Sequence, residues 1–120
     1  MHVLVHGGGD VGVAEIKQDG ITILHVEGSL DADGTQALEE KVVSLLEGGA
    51  QSLVFDFTDL DYINSSGLRV LVLAYQRLKK SSGKVAICGV KDYIQEVFEV
   101  SGYDKIFSMF PSRGAALTGL

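Results

Sequence analysis

Two continuous apolar runs, residues 52–57 and 84–89, each stand between segments whose apolar residues recur at helical spacing. An unbroken apolar run of this length is typical of a strand that is buried on both faces of a sheet. Strands that alternate with helices are joined by right-handed crossovers and pair in parallel. The pattern therefore predicts an α/β domain with a mostly parallel sheet.

The segments around these two runs predict the remaining elements. Residues 12–28 alternate in polarity on either side of Asp19-Gly20, a strong signal for a two-residue hairpin turn, so one pair of strands is antiparallel and the sheet is mixed. Capping and stop residues predict helices from about Asp31 to Gly48, from about Ser66 to Lys80, from Asp92 to Gly102 and after Ser112. A short strand is expected over 106–110, and residues 58–67 are predicted to form a loop. The expected total is about five strands and about four helices.

Length, charge and cysteine content exclude several classes of protein. A chain of 120 residues is one domain, and its net charge of −6 makes free nucleic acid an unsuitable partner. A single cysteine, Cys88, allows neither an internal disulfide framework nor a multi-cysteine zinc site. There is no secretory signal and no apolar run near the ~20 residues of a membrane helix. We therefore expect a cytoplasmic protein that does not insert into a membrane.

The charge is unevenly divided along the chain. Residues 1–64 carry twelve acidic and two basic side chains, net −10, whereas residues 65–120 carry eight basic and four acidic side chains, net +4. The sign changes between Asn64 and Ser65. Such an asymmetry either marks an interaction surface or is erased when a compact fold mixes the two halves.

The spacing Gly7-x-Gly9-x-x-Gly12, with Glu27 twenty residues after Gly7, matches a dinucleotide-binding fingerprint in its letters. That motif needs its third glycine to open a helix, but the residues after Gly12 alternate as in a strand. A linker explains the glycines better. We therefore expect an N-terminal extension over 1–11, flexible or of artificial origin, and a domain over 12–120; a nucleotide-binding enzyme remains an alternative.

The segment Asn64-Ser65-Ser66-Gly67 places two hydroxyls at the start of a predicted helix. One hydroxyl can cap the helix, and the free N–H groups and dipole there also tolerate a phosphate. The acidic side chains of the preceding segment, Asp56, Asp59 and Asp61, indicate that such a phosphate would be added beside an acidic loop and would repel a partner. No serine lies in a recognisable catalytic pattern, and we expect no catalytic residue. We also expect no metal site and no cofactor.

The chain resembles the STAS domain of bacterial anti-sigma factor antagonists. The resemblance covers residues 12–120 and is carried by Gly28-Ser29-Leu30-Asp31, by Tyr62-Ile63-Asn64-Ser65-Ser66-Gly67-Leu68 and by the order of elements. It implies a STAS-like single domain that is not an enzyme. Such a domain binds an anti-sigma factor that is also a serine kinase, which releases a sigma factor for transcription. Phosphorylation of the serine that matches Ser65 dissociates the complex, and a phosphatase resets it. We expect Ser65 to be the acceptor, and Ser66 is the less favoured candidate.

One position departs from the family pattern, since Asn64 stands where the usual residue is Asp. This change keeps the shape and a capping oxygen but removes a charge that bears on recognition by the kinase. The domain also occurs in transport and stress-signalling assemblies, so a non-phosphorylated STAS subunit of such an assembly is the alternative function.

The residues expected to contact the partner surround the serine turn. On the second helix, Arg69 and Leu73 share the face opposite the core stripe. Asp31 is a further candidate, with helix capping as its alternative role. The predicted contact set is Asp31, Asn64, Ser65, Ser66, Gly67, Arg69 and Leu73.

Overall fold

The computed structural model describes residues 3–6 and 11–120. Within these residues, one sheet contains the strands β1 (Val3–His6), β2 (Val11–Gln18), β3 (Ile21–Leu30), β4 (Ser52–Asp56), β5 (Leu60–Ile63), β6 (Lys84–Cys88) and β7 (Ser108–Phe110). The helices are α1 (Gly34–Glu47), α2 (Ser65–Lys80), α3 (Asp92–Ser101) and α4 (Arg113–Gly119), and a short 3-10 turn spans Tyr103–Lys105.

The strand order is β1-β2-β3-β4-β6-β7, and β5 pairs with the end of β3. The pairs β1–β2 and β2–β3 are antiparallel, whereas β3–β4, β3–β5, β4–β6 and β6–β7 are parallel. The predicted α/β class and mixed, mostly parallel sheet are therefore confirmed, although the sheet contains two strands more than expected.

The first additional strand is β1, which falls within the predicted N-terminal extension. Its residue Val3 pairs with Glu15 of β2. Gly7 and Gly9 lie outside the described residues, but Gly12 lies within β2, where it pairs with Glu27. Because Gly12 continues a strand, it does not open the helix that a dinucleotide site requires.

The second additional strand is β5, and here the prediction of a loop over 58–67 was wrong. Leu60 and Ile63 are buried while Asp61 and Tyr62 between them are exposed. This order does not alternate with period two, so the usual sequence signal of a strand is missing. The strand forms because the end of β3 offers it a parallel partner over Gly28–Leu30.

The predicted hairpin turn is confirmed, because both of its central residues have positive φ. Asp19 has φ 55° and Gly20 has φ 79°. Two such residues form the kind of turn that matches the right-handed twist of the flanking strands.

Two apolar cores flank the sheet. The larger core packs α1, α2 and α3 against one face and contains fully buried Phe55, Leu71 and Phe98. A smaller core on the other face contains Val54, Cys88 and Ala116 and is covered by α4. Within the described part of the chain, no helix is long and apolar enough to cross a membrane.

Candidate functional site

The predicted serine turn joins β5 to α2 at the carboxyl edge of the sheet. Asn64 has an extended backbone, and its Oδ1 accepts a hydrogen bond from the N–H of Ser66 at 2.9 Å. The side chain of Asn64, rather than a serine hydroxyl, is therefore the helix cap. Ser65 is the first residue of α2, and its side chain is exposed to solvent.

Gly67 allows α2 to approach the sheet closely. A Cβ atom at this position would lie 2.7 Å from Cγ1 of Ile63 and 2.9 Å from Cβ of Leu30. These separations are too short for real carbon contacts, so no larger residue fits without movement of the helix. The small residue thus places the start of α2 directly on the ends of β3 and β5.

Asp31 lies at the same edge as the serine turn. The N–H of Asn64 donates to the carbonyl of Leu30 at 3.1 Å. Asp31 is the first residue after β3 and Asn64 is the first residue after β5, and these two strands are paired. The carboxylate Oδ1 of Asp31 also accepts hydrogen bonds from the N–H groups of Asp33, at 3.1 Å, and Gly34, at 2.8 Å. Asp31 therefore caps the start of α1, which is the alternative role that the sequence indicated for it.

Arg69 and Leu73 follow Ser65 at intervals of four residues, which places all three on one face of α2. Arg69 is exposed, and its Nη2 lies 3.7 Å from Oε1 of Glu39 on α1. Leu73 is half-buried. The two side chains thus remain accessible beside the α1–α2 junction.

The acidic side chains before the turn are paired, contrary to the acidic loop expected from the sequence. Asp56 is buried, and its Oδ2 lies 2.8 Å from Nη2 of Arg113 on α4. Oδ1 of Asp56 accepts from the hydroxyl of Thr58 at 2.6 Å. Burial alone raises the pKa of Asp56, but the hydrogen bonds from Thr58 and Arg113 outweigh it and hold the pKa below its usual range.

The other two acids of this segment also have partners on distant elements. Oδ2 of Asp59 lies 2.8 Å from Nε2 of His25 on β3. Oδ1 of Asp61 lies 2.5 Å from Nζ of Lys91, and this hydrogen bond raises the pKa of Lys91. The repulsion that the sequence predicted for this loop is therefore weakened by the cationic side chain of Lys91, and Asp59 gains a hydrogen-bond partner in His25.

Three ion pairs cross the boundary at which the charge changes sign. They join Asp56 to Arg113, Asp61 to Lys91 and Glu39 to Arg69. The compact fold thus mixes the acidic and basic halves of the chain. This is the second of the two explanations given above for the uneven charge along the sequence.

Several residues around the site carried no signal in the sequence. Lys91 and Tyr93 reach Asp61 of β5 because α3 packs there, and Arg113 reaches Asp56 at the end of β4 because α4 packs there. The hydroxyl of Tyr93 donates to the carbonyl of Asp61 at 2.8 Å. A hairpin, a cap and an apolar stripe are local patterns, whereas these contacts join residues about 30 to 57 positions apart.

Sequence comparison matches residues 14–116 to the model of the STAS domain family. The chain is 36% identical over 100 residues to BtrV of Bordetella bronchiseptica, which carries the name of an anti-sigma factor antagonist; this covers 83% of the chain and 86% of BtrV. It is 25% identical over 108 residues to RsfB of Mycobacterium tuberculosis, an anti-sigma-F factor antagonist, covering 90% and 88% of the two chains.

Solved structures share the same fold. A crystal structure of an anti-sigma factor antagonist from Mycobacterium paratuberculosis superimposes with a TM-score of 0.84 at 24% identity, covering 92% of this chain and 93% of the other. The phosphorylated form of the Bacillus protein SpoIIAA gives a TM-score of 0.70 at 17% identity, covering 98% and 97%. A sulfate transporter family protein from Wolinella succinogenes also gives 0.70, at 14% identity, with 86% of each chain covered.

Proposed function

The chain belongs to the STAS domain family and is related to anti-sigma factor antagonists, and from this premise we propose that it binds an anti-sigma factor and is switched by phosphorylation of Ser65. The anti-sigma factor is also the serine kinase, a phosphatase removes the phosphate, and the cycle takes place in the cytoplasm. In this role the domain acts by reversible binding and catalyses no reaction itself.

The observation that carries this proposal is the exposed position of Ser65 at the start of a 16-residue helix. The free N–H groups and the dipole of the first turn stabilise a negative charge. Phosphorylation adds about two negative charges at pH 7. A phosphate on Ser65 is therefore compatible with the fold and changes the surface instead.

Asn64 supports the same interpretation. Its Oδ1 occupies the N–H of Ser66, which leaves the hydroxyl of Ser65 free of the capping role. An aspartate at this position would offer the same oxygen with an added charge. The departure from the family pattern thus alters the charge that the kinase meets and preserves the geometry of the turn.

The contact surface in this proposal combines the serine turn with its neighbours on the same edge. It comprises Asp31, Asn64, Ser65, Ser66, Gly67, Arg69 and Leu73. Asp31 contributes through its second carboxylate oxygen, since Oδ1 is engaged at the start of α1 and its carbonyl accepts from the N–H of Thr35.

The fold is shared with a transporter-family protein, so the fold alone does not favour regulation over membrane transport. The relatives at 36% and 25% identity are named as anti-sigma factor antagonists. This relationship favours the regulatory function over a non-phosphorylated transport subunit.

The test is incubation of the purified chain with ATP and the anti-sigma factor kinase encoded in the same genome, followed by intact-protein mass spectrometry. We expect one phosphate on the wild type, none on Ser65→Ala and one on the matched control Ser66→Ala. Ser65→Ala should bind the kinase constitutively. No uptake by the wild type, or uptake that Ser65→Ala leaves unchanged, contradicts the switch.

A further inference from the structure

Two tyrosine rings are exposed beside the serine turn. Tyr62 on β5 is 49% exposed, and Tyr93 on α3 is 52% exposed. Most large apolar side chains among the described residues are buried, and the exposed ones are the two tyrosines, Val100 and Ile106. Tyrosine offers a large contact area at a low cost in conformational entropy and is enriched among residues that dominate binding energy.

The Tyr93 ring and the backbone of Tyr62 are held in place before any partner binds. The hydroxyl of Tyr93 donates to the carbonyl of Asp61 at 2.8 Å, and Lys91 binds the carboxylate of the same residue at 2.5 Å. The backbone of Tyr62 is fixed by its pairing with Ser29 of β3. A contact surface that is already ordered loses less entropy on association.

This aromatic surface is continuous with the serine turn. Tyr62 precedes Ser65 by three residues, and β5 leads directly into α2. Asp61, which connects the two tyrosines, is paired with Lys91. The surface between Ser65 and Tyr93 therefore combines two exposed aromatic rings with a paired charge, so it suits a partner that offers apolar pockets.

We infer that Tyr62 and Tyr93 anchor the anti-sigma factor, and that its binding surface extends from Ser65 across β5 to the start of α3. This inference rests on the proposed function, because the partner whose binding depends on the state of Ser65 must cover that residue and its immediate surroundings.

The inference also explains how a phosphate would release the partner. The three acids of the preceding segment are already paired with Arg113, His25 and Lys91. The cationic side chains of Arg113 and Lys91 thus weaken the repulsion from this segment. A phosphate on Ser65 would instead lie at the rim of an apolar contact, where burying its charges without a matching partner is costly.

The test measures the dissociation constant of the unphosphorylated chain for the anti-sigma factor kinase of the same genome by isothermal titration calorimetry. We expect Tyr62→Ala and Tyr93→Ala each to weaken binding at least tenfold. Tyr93→Phe, which keeps the ring and loses the hydrogen bond, should weaken it less than Tyr93→Ala. Circular dichroism melting curves establish that each variant is folded.

The matched control is Ile106→Ala, outside the surface that carries the two tyrosines. Ile106 is 41% exposed and lines a separate groove with Tyr75 and Lys84, at the edge of the sheet where β6 begins. Its replacement should change affinity less than twofold, which separates specific anchoring from loss of apolar surface in general.

The outcomes separate this inference from the function on which it rests. Wild-type binding with both alanine variants within twofold of it would overturn the tyrosine anchors alone. Absence of wild-type binding would overturn both proposals. If the alanine variants instead convert a dimer of this chain into a monomer while kinase affinity is unchanged, the surface binds a second copy and the inference is wrong.

Discussion

The guanidinium of Arg113 holds the buried carboxylate of Asp56, with Nη2 and Nε at 2.8 and 3.0 Å from the same oxygen. Asp56 ends β4, and Arg113 begins α4, so this contact ties the last helix to the carboxyl edge of the sheet. The same helix covers the smaller core. The pair therefore holds α4 at the edge of the sheet that carries the serine turn.

Replacing Arg113 should destabilise the domain. Breaking a fully buried pair costs about 3–5 kcal/mol, and because the Arg113 side chain is partly exposed we expect Arg113→Met to lower the free energy of unfolding by about 2 kcal/mol. Urea denaturation measures the change. Arg77→Met is the control, since Arg77 is exposed and has no ion pair among the described residues. Equal effects of the two substitutions would show that Arg113 does not hold Asp56.

The contribution of Asp56 should depend on pH. Its pKa is lowered in the folded state, so its stabilisation is present above the unfolded value near 3.8 and is lost as the pH falls through the lower folded value. The stability difference between the wild type and Arg113→Met should therefore shrink on acidification below about pH 4. Urea titrations at pH 7, 4 and 3 measure it, and a difference that grows at low pH contradicts this assignment.

Enlarging Gly67 should disturb the junction of α2 with the sheet. Because the added Cβ would meet Ile63 and Leu30 below 3.0 Å, Gly67→Ala should cost about 1–3 kcal/mol. The matched control is Gly114→Ala in the first turn of α4, where the nearest atom lies 4.0 Å away. There the higher helix propensity of alanine should leave stability unchanged or raise it by up to about 1 kcal/mol. Thermal melts that show the reverse order would contradict the close approach.

A negative charge at position 65 should alter binding and leave folding intact. Ser65→Glu places a carboxylate in the first turn of α2 and should change stability by less than about 1 kcal/mol, with a stabilising sign. Its affinity for the kinase should fall at least tenfold. Ser81→Glu puts the same charge at the other end of the helix, where it opposes the dipole and removes the hydrogen bond to Leu78. Equal destabilisation by both substitutions would argue against a tolerant site at Ser65.

Cys88 should be inert in the folded protein. Burial, with a smaller effect of nearby Asp56, raises the pKa of the thiol to about 12, and the side chain is 1% exposed. We expect no reaction with a thiol-specific disulfide reagent at pH 8 and one equivalent of reaction after unfolding in guanidinium. Stoichiometric reaction in the folded state would contradict the buried position.

Local chemistry accounts for the parts of the fold that could be predicted from the sequence. The apolar runs over 52–57 and 84–89 correspond to β4 and β6, and the positive φ angles of Asp19 and Gly20 confirm the hairpin turn. The helix after Asn64 was expected because residues that favour helix caps precede an amphipathic stripe. These elements are encoded by neighbours in the chain, so periodicity and capping reveal them.

The residues themselves determined the class of fold, the exposed serine at a helix start and the family resemblance. Only the tertiary structure decided that β5 is a strand, that Gly67 presses α2 against Leu30, and that Asp56, Asp59 and Asp61 have partners on three other elements. A sequence reports charge along the chain, whereas electrostatic and packing energies depend on distance in space. The three acids therefore have partners in the fold, because α3, α4 and β3 bring Lys91, Arg113 and His25 to the same edge of the sheet.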